Sequence, residues 1–261
     1  MTTGTRRRWL VMRLEAPLVA FGGVAIDHIG VTWDFPALSA MTGLFANALG
    51  YDRTERQAHQ ELQDRLVFAA RREREPIIGV LRDMQNVQGL GDEKRGWTTR
   101  GEPEERAGGS LDSIHRRQRD YHPDAAVVVV ATLKDSVATP SLDDLADALD
   151  RPARPLFIGR KPCLPAFPLR HRFADGSSFI EAETAHAALG ALADITASQS
   201  PRTQRDAVRL RALWPADEGP TSGALVDRAI AVADRRNWIS GLHGGTRAVI
   251  EGRIALSEAA P

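Results

Sequence analysis

Apolar runs along the chain predict a sheet with both faces buried. Residues 9–14 form an apolar run of strand length. Residues 125–132 include four consecutive valines and predict a second buried strand, because β-branched side chains suit a sheet that is covered on both sides. Five further strands are predicted at residues 67–72, 77–81, 207–213, 224–233 and 246–254.

Other segments have the spacing of helices. Residues 40–49 follow Ser39, a predicted N-terminal cap, and precede Gly50, which stands where a left-handed C-terminal cap belongs. Residues 54–66 have the polar and apolar pattern of a surface helix, and a further helix is predicted over residues 181–194.

The order of these elements indicates the fold class. A short helix begins at Ser141 and ends at Leu149, since its acidic first turn suits the positive end of a helix dipole. The first part of the chain then has the β-α-β-β-α-β order of an α+β ferredoxin-like unit. No repeat or low-complexity linker divides the 261 residues. We therefore expect a single domain over residues 1–261.

Composition bounds the location and class of the protein. The 34 basic and 34 acidic residues cancel, so net charge neither supports nor excludes a nucleic-acid partner. The single cysteine, Cys163, excludes an internal disulfide framework and fits a reducing compartment. No apolar run approaches the roughly 18–20 residues that span a bilayer, and Arg13 and Glu15 interrupt the one that follows the basic start. The expectation is a cytoplasmic protein without a membrane partner.

Residues 84–122 differ in kind from the rest of the chain. They contain six glycines and little periodicity, and Trp97 lies between Arg95 and Arg100. Arginine beside an aromatic ring suits a groove for single-stranded nucleic acid, because the guanidinium binds phosphate while the ring stacks on a base. A solvated surface loop is the alternative, and composition leaves both open. The basic residues of the segment are Lys94, Arg95, Arg100, Arg106, Arg116, Arg117 and Arg119.

A second basic segment covers residues 151–172. It has six lysines and arginines, five prolines and no acidic residue. The prolines hold it extended, and an extended basic segment is a track for phosphates. We expect RNA or a protein partner here, most directly at Arg160 and Lys161; the alternative is a crossover whose arginines face water.

The sequence lacks the motifs of metal sites, nucleotide-binding loops and serine hydrolases. The histidines are dispersed without metal-ligand spacing, and no Gly-Lys-Ser/Thr follows the glycine pairs. The Gly-x-Ser-x-Gly elbow of many hydrolases is absent, and Cys163 is expected to be a small packed residue. The sequence therefore predicts no cofactor, no metal and no catalytic residue.

Short motifs in a fixed order carry a family resemblance. The motifs are Leu10 to Pro17 with Ala20-Phe21-Gly22, Phe35-Pro36-Ala37-Leu38-Ser39, Thr42-Gly43-Leu44, Ala48-Leu49-Gly50, Gly79-Val80-Leu81-Arg82-Asp83, Arg119-Asp120-Tyr121 with Asp124-Ala125, and Arg154 to Pro165. In these motifs the chain resembles Cas family five, the CRISPR-associated RAMP proteins, and within it the type I-E, CasD-type subunits.

The resemblance implies a fold and a role. The fold is a RAMP-type, ferredoxin-like (RRM-like) domain with an inserted β-hairpin thumb at about 84–122 and a β-rich, poorly matched C-terminal region at about 175–261. The role is to bind the 5′ handle of the CRISPR guide RNA and to cap the backbone filament of Cascade, a ribonucleoprotein complex of antiviral defence. The implied partners are the guide RNA, the backbone subunit CasC, the large subunit CasA and, within the complex, the target DNA.

The residues expected at the RNA combine the two basic segments with the motif positions. They are Arg13, Phe21, Gly22, Ser39, Arg82, Arg95, Trp97, Arg100, Arg116, Arg117, Arg119, Arg160 and Lys161.

An endoribonuclease is the alternative function, because the type I-C relatives cleave guide precursors. Metal-independent cleavage needs a base for the 2′-hydroxyl and an acid for the leaving oxygen. His115, Tyr121, His122 and Lys94 have suitable side chains. Tyr121 also belongs to the motif of the non-catalytic type I-E subunits, so we expect binding without cleavage. A protein-interaction adaptor is the other class that remains.

Overall fold

The computed structural model describes residues 5–24, 27–76, 78–87, 96–97, 103–104, 115–134, 138–193 and 209–255. For residues 87, 96, 97, 103, 104 and 115 only the backbone is described. The strands are β1 (Arg7–Glu15), β2 (Leu18–Val19), β3 (Ile29–Gly30), β4 (Leu66–Arg74), β5 (Leu81–Val87), β6 (Gly96–Trp97), β7 (Pro103–Glu104), β8 (His115–Pro123), β9 (Ala126–Leu133), β10 (Phe179–Ala182), β11 (Arg209–Pro215), β12 (Val226–Val232) and β13 (Arg247–Ala255). The helices are α1 (Leu38–Leu49), α2 (Arg56–Arg65), α3 (Leu142–Asp150) and α4 (Ala185–Ala191).

The main sheet contains a ferredoxin-like unit. Its seven strands lie in the order β10-β1-β9-β4-β11-β13-β12, and every neighbouring pair is antiparallel. Helices α1 and α2 join β1 to β4, and α3 lies between β9 and β10. Strands β1, β4, β9 and β10 and these helices therefore follow the β-α-β-β-α-β pattern. The predicted α+β, RAMP-like fold class is confirmed.

The central strands are buried on both faces because their apolar side chains are continuous. Leu10 and Met12 of β1 pack in the core cluster that holds α1, α2 and α3. Trp9 and Val11 point the other way and pack with α4. This alternation follows from the two-residue period of a strand, and the valines of β9 divide between the two clusters in the same manner.

The C-terminal third continues this sheet. Strands β11, β13 and β12 extend it beyond β4, close to the three C-terminal segments predicted from the sequence. The predicted helix at 181–194 is partly wrong, because its first residues belong to β10 and α4 covers Ala185–Ala191 only. Buried Arg71 of β4 donates to the carbonyls of Leu189 (2.6 Å) and Leu192 (2.9 Å), and so satisfies the C-terminal end of α4.

A β-hairpin is inserted between β4 and β9. Strands β5 and β8 pair antiparallel from Leu81↔Tyr121 to Val87↔His115, and β3 pairs with β8 in parallel. The strand predicted at 77–81 is wrong in its bounds, since Ile78, Gly79 and Val80 precede the ladder. Gly79 has φ +70°, a turn conformation that interrupts the run.

The helix caps test three predictions. Gly50 has φ +86° and its N–H contacts the Ala46 and Asn47 carbonyls, which confirms the predicted C-cap. Ser141 forms a capping box with Asp144, which confirms the start of α3. Ser39 is not the N-cap of α1, because the helix begins at Leu38 and Ser39 lies inside its first turn.

Candidate nucleic-acid interface

The hairpin presents arginines on both of its faces. Residues directly opposite in an antiparallel ladder share a face, so the Gln85↔Arg117 and Asp83↔Arg119 pairs lie on one side. The Arg82↔Asp120 and Asn86↔Arg116 pairs lie on the other. The hairpin ladder therefore places four of the residues predicted to bind RNA, Arg82, Arg116, Arg117 and Arg119, on one projecting element.

These four arginines differ in the hydrogen bonds and ion pairs that their side chains form within the protein. Arg82 is 61% exposed and contacts Asp120 at 3.2 Å. Arg117 donates to the Arg116 carbonyl at 3.2 Å, whereas Arg119 donates to the carbonyls of His28 (3.1 Å) and Gln118 (2.8 Å). A bond to a neutral carbonyl does not compensate the positive charge, so Arg119 retains its attraction for phosphate, whereas the charge of Arg117 also interacts with the Asp27 carboxylate.

Arg160 has a different environment from the one its motif suggested. Its guanidinium donates to the carbonyls of Asp120 (2.8 Å), Gly30 (2.9 Å) and Val31 (3.1 Å) and lies 4.9 Å from the centre of the Tyr121 ring. These contacts tie the hairpin strand β8 to the 30–31 loop. In this structure Arg160 therefore positions the base of the hairpin.

The backbone at Gly159 explains why the motif has glycine before Arg160. Gly159 has φ +87°, and a Cβ built there would lie 1.7 Å from the Ala20 carbonyl oxygen. The Ala20 N–H also donates to the Ile158 carbonyl at 3.2 Å. Only glycine allows this approach, which brings the first motif of the chain against the last.

Three of the other four arginines of segment 151–172 pair with acidic residues outside the segment. Arg154 pairs with Asp52 at 2.6 Å, and Arg170 and Arg172 both contact Asp150, at 2.8 and 2.5 Å. The acid-free composition of the segment therefore overstates its positive charge. Lys161 is exposed and has no ion pair within the part of the chain that is described.

The N-terminal motif residues serve the protein body. Arg13 pairs with Glu15 and lies 4.0 Å over the Phe167 ring. Phe21 is buried, and the Gly22 carbonyl accepts a bond from the Trp33 N–H at 2.9 Å. Of the predicted RNA-binding residues in this region, Gly22 and Ser39 reach an open cleft.

That cleft has a volume of about 340 Å³ and lies between residues 22–39 and residues 233–243. We call it the glycine cleft. Its N-terminal wall is formed by Gly22, Gly23, Trp33, Ala37 and Ser39, and its C-terminal wall by Ala233, Asp234, Arg235, Arg236, Gly241, Leu242 and His243.

The sequence reasoning missed Arg236, Leu242 and His243. The sequence contains two signals for this segment: Arg235–Trp238 resembles the terminal R-x-W motif of Cas family five, and the glycines at 241–245 lie between the strands predicted at 224–233 and 246–254. Neither signal indicates that the segment lines one cleft with Gly22 and Gly23, because these residues are more than 200 positions apart in the sequence.

The catalytic candidates Tyr121 and His122 are buried. Nε2 of His122 lies 3.0 Å from the Trp33 carbonyl, which assigns it the proton, and Nδ1 has no partner among the described residues. Burial and the neighbouring charge of Arg72 lower the pKa of His122 from its usual value. A buried neutral imidazole bound to a carbonyl is poorly placed to transfer a proton to RNA.

Several predicted residues lie outside what the structure describes. These are Lys94, Arg95 and Arg100. Trp97 belongs to β6, which pairs with β7, and His115 opens β8, but only their backbones are described. The proposed grouping of Trp97 with its flanking arginines stays a prediction.

The described residues contain neither a metal-ligand cluster nor a membrane-spanning helix. No group of three His, Cys, Asp or Glu side chains in those residues is arranged to hold a metal ion. None of the described helices is both long and apolar enough to cross a membrane.

Comparison with known proteins decides the family. The family model described as CRISPR-associated protein (Cas_Cas5) matches residues 9–250. The chain belongs to the Cas5 family. It is also similar to the CRISPR system Cascade subunit CasD of Escherichia coli strain K12, with 29% identity over 171 residues, which cover 63% of this chain and 69% of CasD.

Solved structures support the fold. A chain of a CRISPR RNA-guided surveillance complex superposes with a TM-score of 0.60 at 19% identity, covering 95% of this Cas5-family chain and 90% of the other. A structure described as a Cas protein gives a TM-score of 0.56 at 23% identity, covering 97% and 100%. These two likenesses are of fold, and the family resemblance seen in the sequence motifs is confirmed by the family model over residues 9–250.

Proposed function

We propose that this Cas5-family protein is the non-catalytic subunit that binds the 5′ handle of the guide RNA and caps the backbone filament in a type I-E-like Cascade. The observation that carries the proposal is the family match over residues 9–250 together with an inserted hairpin that bears Arg116, Arg117 and Arg119. Single-stranded RNA is bound by cationic grooves with aromatic and glycine-rich surfaces.

The partners follow from the same proposal. The guide RNA handle contacts the hairpin, CasC and CasA are the neighbouring subunits, and target DNA pairs with the guide next to this chain. Guide pairing rather than protein side chains selects the target. Such a protein acts in the cytoplasm, and the continuous sheet supports a single domain with its thumb at about 84–122.

Endoribonuclease activity is the less favoured function. The only candidate side chains that the structure describes, Tyr121 and His122, are 3% exposed and face the interior. The Tyr121 ring also lies under the Arg160 guanidinium. Guide RNA incubated with the protein, with and without divalent metal, is expected to remain intact. Cleavage at the handle boundary that is lost in Tyr121→Phe or His122→Ala would reverse this choice.

The test of RNA binding uses the assembled complex. The chain is co-expressed with the other subunits and a CRISPR array, and the bound RNA is sequenced. We expect guides with a 5′ handle, and a raised 260/280 absorbance ratio separates RNA binding from a pure protein adaptor. The double variant Arg117→Gln/Arg119→Gln should weaken retention of the guide and reduce its salt dependence, since each lost phosphate contact removes about 0.7 of the log–log slope on single strands.

A matched control makes the result specific. Arg209→Gln removes an exposed arginine of β11 that pairs with Ala255 of β13 in the main sheet and is not part of the hairpin ladder. It should leave guide retention and the salt slope unchanged. Equal loss in both variants would mean non-specific attraction, and no co-purifying guide with the wild-type chain would contradict the proposed function.

A further inference from the structure

We infer that the glycine cleft is a pocket for one unstacked nucleotide of the guide RNA, with the base against Trp33 and Leu242 and the phosphate on Arg236. The inference rests on the proposed function and deepens it by naming a site and its ligand unit. It starts from residues 235–245, which have no role in the hairpin and were not expected to form a site.

Arg236 supplies an oriented positive charge to the cleft. It is exposed, and no acidic side chain pairs with it within the described ranges. Its guanidinium lies 5.0 Å from the centre of the Trp238 ring, which limits the directions that it takes. The adjacent Arg235 is different, because it pairs with Asp64 at 2.6 Å and is neutralised.

The ring that orients Arg236 is itself fixed. The Trp238 indole N–H donates to Gln63 Oε1 at 3.1 Å, and its backbone N–H donates to Gln60 Oε1 at 3.0 Å. His59 packs against the same ring with centroids 4.7 Å apart. Helix α2 thus holds the segment in place, so the cation is presented before a ligand arrives.

The tip of the segment has a shape that only glycine permits. The backbone forms an isolated antiparallel bridge between Arg236 and His243, which places these side chains directly opposite each other. A Cβ on Gly244 would lie 2.7 Å from the Arg236 carbonyl carbon, so the two arms come too close for any larger residue. At this tip Leu242 is 71% exposed, an apolar side chain held out beside the charge.

The opposite wall contains two glycines beside Trp33, Ala37 and Ser39. Gly22 and Gly23 have φ values of +93° and +144°, and a Cβ on Gly23 would lie 2.7 Å from Cγ2 of Val31, so a larger residue would be strained at either position. Neither glycine places a side chain in the cleft beside Trp33. A flat apolar ring, an exposed leucine and a cation around a narrow opening match the base and phosphate of a single nucleotide better than an extended polypeptide.

The volume of the cleft and its distance from the hairpin agree with a guide strand that runs from the hairpin arginines into the cleft. A volume of about 340 Å³ is near the lower end of ligand clefts, roughly 300–1,000 Å³. The chain runs directly from Gly30, which pairs with Arg119 of β8, to Trp33 in the cleft. Three residues span at most about 11 Å, so a single strand that follows the hairpin arginines reaches the cleft.

Photocrosslinking in the intact complex tests the inference without altering the protein. Guides that carry a single 4-thiouridine at successive handle positions are assembled with the subunits and irradiated, and the crosslinked peptide is identified by mass spectrometry. We expect one handle position to crosslink to the peptide with Trp33 or to the peptide with residues 236–243. Crosslinks of all positions to other peptides would overturn the inference.

Variants give a second, quantitative readout. Arg236→Gln and Leu242→Ala change exposed side chains, and together they should weaken guide binding about 5- to 100-fold, because one stacked base and one phosphate contact are lost. Arg236→Lys should restore part of the affinity, and Arg209→Gln should have no effect. Circular dichroism confirms that each variant is folded.

The outcomes separate this inference from the proposed function. If the hairpin variant Arg117→Gln/Arg119→Gln loses the guide while the cleft variants bind normally, the inference fails and the proposed function stands. If the cleft variants retain the guide but lose a neighbouring subunit, the cleft is a protein-docking surface and the inference fails. If the wild-type complex holds no guide, the proposed function itself fails.

Discussion

Asp234 caps helix α1 from the other end of the chain: its Oδ2 accepts a hydrogen bond from the Leu38 backbone N–H at 3.0 Å. The Asp234 carbonyl accepts from the Ser39 N–H at 2.9 Å. The residue at the N-cap position, Ala37, provides no side-chain cap within the described structure. Two orphan amides of the helix are therefore satisfied by a residue 196 positions later, which closes the glycine cleft.

Removal of this cap should destabilise the whole domain. Asp234 is 4% exposed and also pairs with Arg247 at 2.7 Å, so Asp234→Ala leaves a partly buried cation and the Leu38 amide without partners, whereas the Ser39 amide keeps its bond to the backbone carbonyl. We expect a loss of about 2–4 kcal/mol in the free energy of unfolding, measured by urea denaturation. Asp227→Ala, at an exposed pair of 3.7 Å, should change it by less than about 0.5 kcal/mol. Equal effects would contradict the capping role.

A glycine pair tests the close approach inside the last motif. Gly159→Ala combines a left-handed backbone with a Cβ 1.7 Å from the Ala20 carbonyl, so this variant should be insoluble or lose more than about 3 kcal/mol. Gly176 has a similar φ of +80°, but no described atom lies within 4 Å of its Cβ position. Gly176→Ala should lose only about 1–2 kcal/mol. Similar thermal denaturation midpoints for the two variants would show that the contact at Gly159 is unimportant.

Substitutions of the neighbouring residues Arg160 and Lys161 should cause different defects. Arg160→Gln removes donors to three carbonyls, so stability should fall by about 1.5–3 kcal/mol and guide retention should weaken with an unchanged salt slope. Lys161→Gln should keep stability and lower the slope by about 0.7 if the exposed ammonium meets a phosphate. A lowered slope in Arg160→Gln would instead place its guanidinium on the RNA.

The fold was largely predictable from the sequence, whereas the site was predictable only in part. Strand β9 was clear because four valines need a sheet buried on both sides. The partners of Arg154 and the cap of α1 were hidden because Asp52 and Asp234 are remote in sequence. Local patterns report the period of an element, but they do not report which distant side chain neutralises a charge.

The motif positions show the same limit. Arg160 and Phe21 lie in motifs that the resemblance linked to RNA, yet one ties loops together and the other is packed in the core. A motif is retained when a fold needs it as well as when a ligand does. Only the three-dimensional contacts separate the two reasons.

Acid should weaken the folded state through His122. Burial first and Arg72 second lower the pKa of His122 from the model-peptide value of 6.5, so the folded chain stays neutral where the unfolded chain binds a proton. Below pH 6.5 the free energy of unfolding should therefore fall as the pH falls, by up to about 1.4 kcal/mol per pH unit, until the folded pKa is reached.

Histidine variants show which residue causes this pH dependence. When the free energy of unfolding is measured by urea denaturation between pH 7.5 and 5.5, it should change less per pH unit in His122→Gln than in wild type. Part of the slope should persist, since burial also lowers the pKa values of His171 and His186. His243→Gln, at an exposed position, is the matched control for removal of a histidine. A slope in His122→Gln equal to that of wild type would contradict this assignment.

The last prediction concerns the hairpin as a separable element. Replacing residues 89–109 with a short Gly-Ser linker should leave the body folded, because β4 and β9 pair along their whole length in the main sheet. The base of the hairpin is also anchored independently of the replaced residues. Arg160 donates to the carbonyls of Asp120 and Gly30, and β3 pairs with β8.

The truncated chain should therefore unfold with a free energy close to that of wild type but assemble poorly on the guide, or bind target weakly next to the handle. Urea denaturation measures the first quantity, and gel filtration of the complex followed by a target-DNA binding titration measures the second. Failure to fold would mean that residues 89–109 belong to the core. Normal folding with normal assembly and target binding would mean that the hairpin is not the thumb, since an element that wedges against the guide cannot be removed without cost to one of these steps.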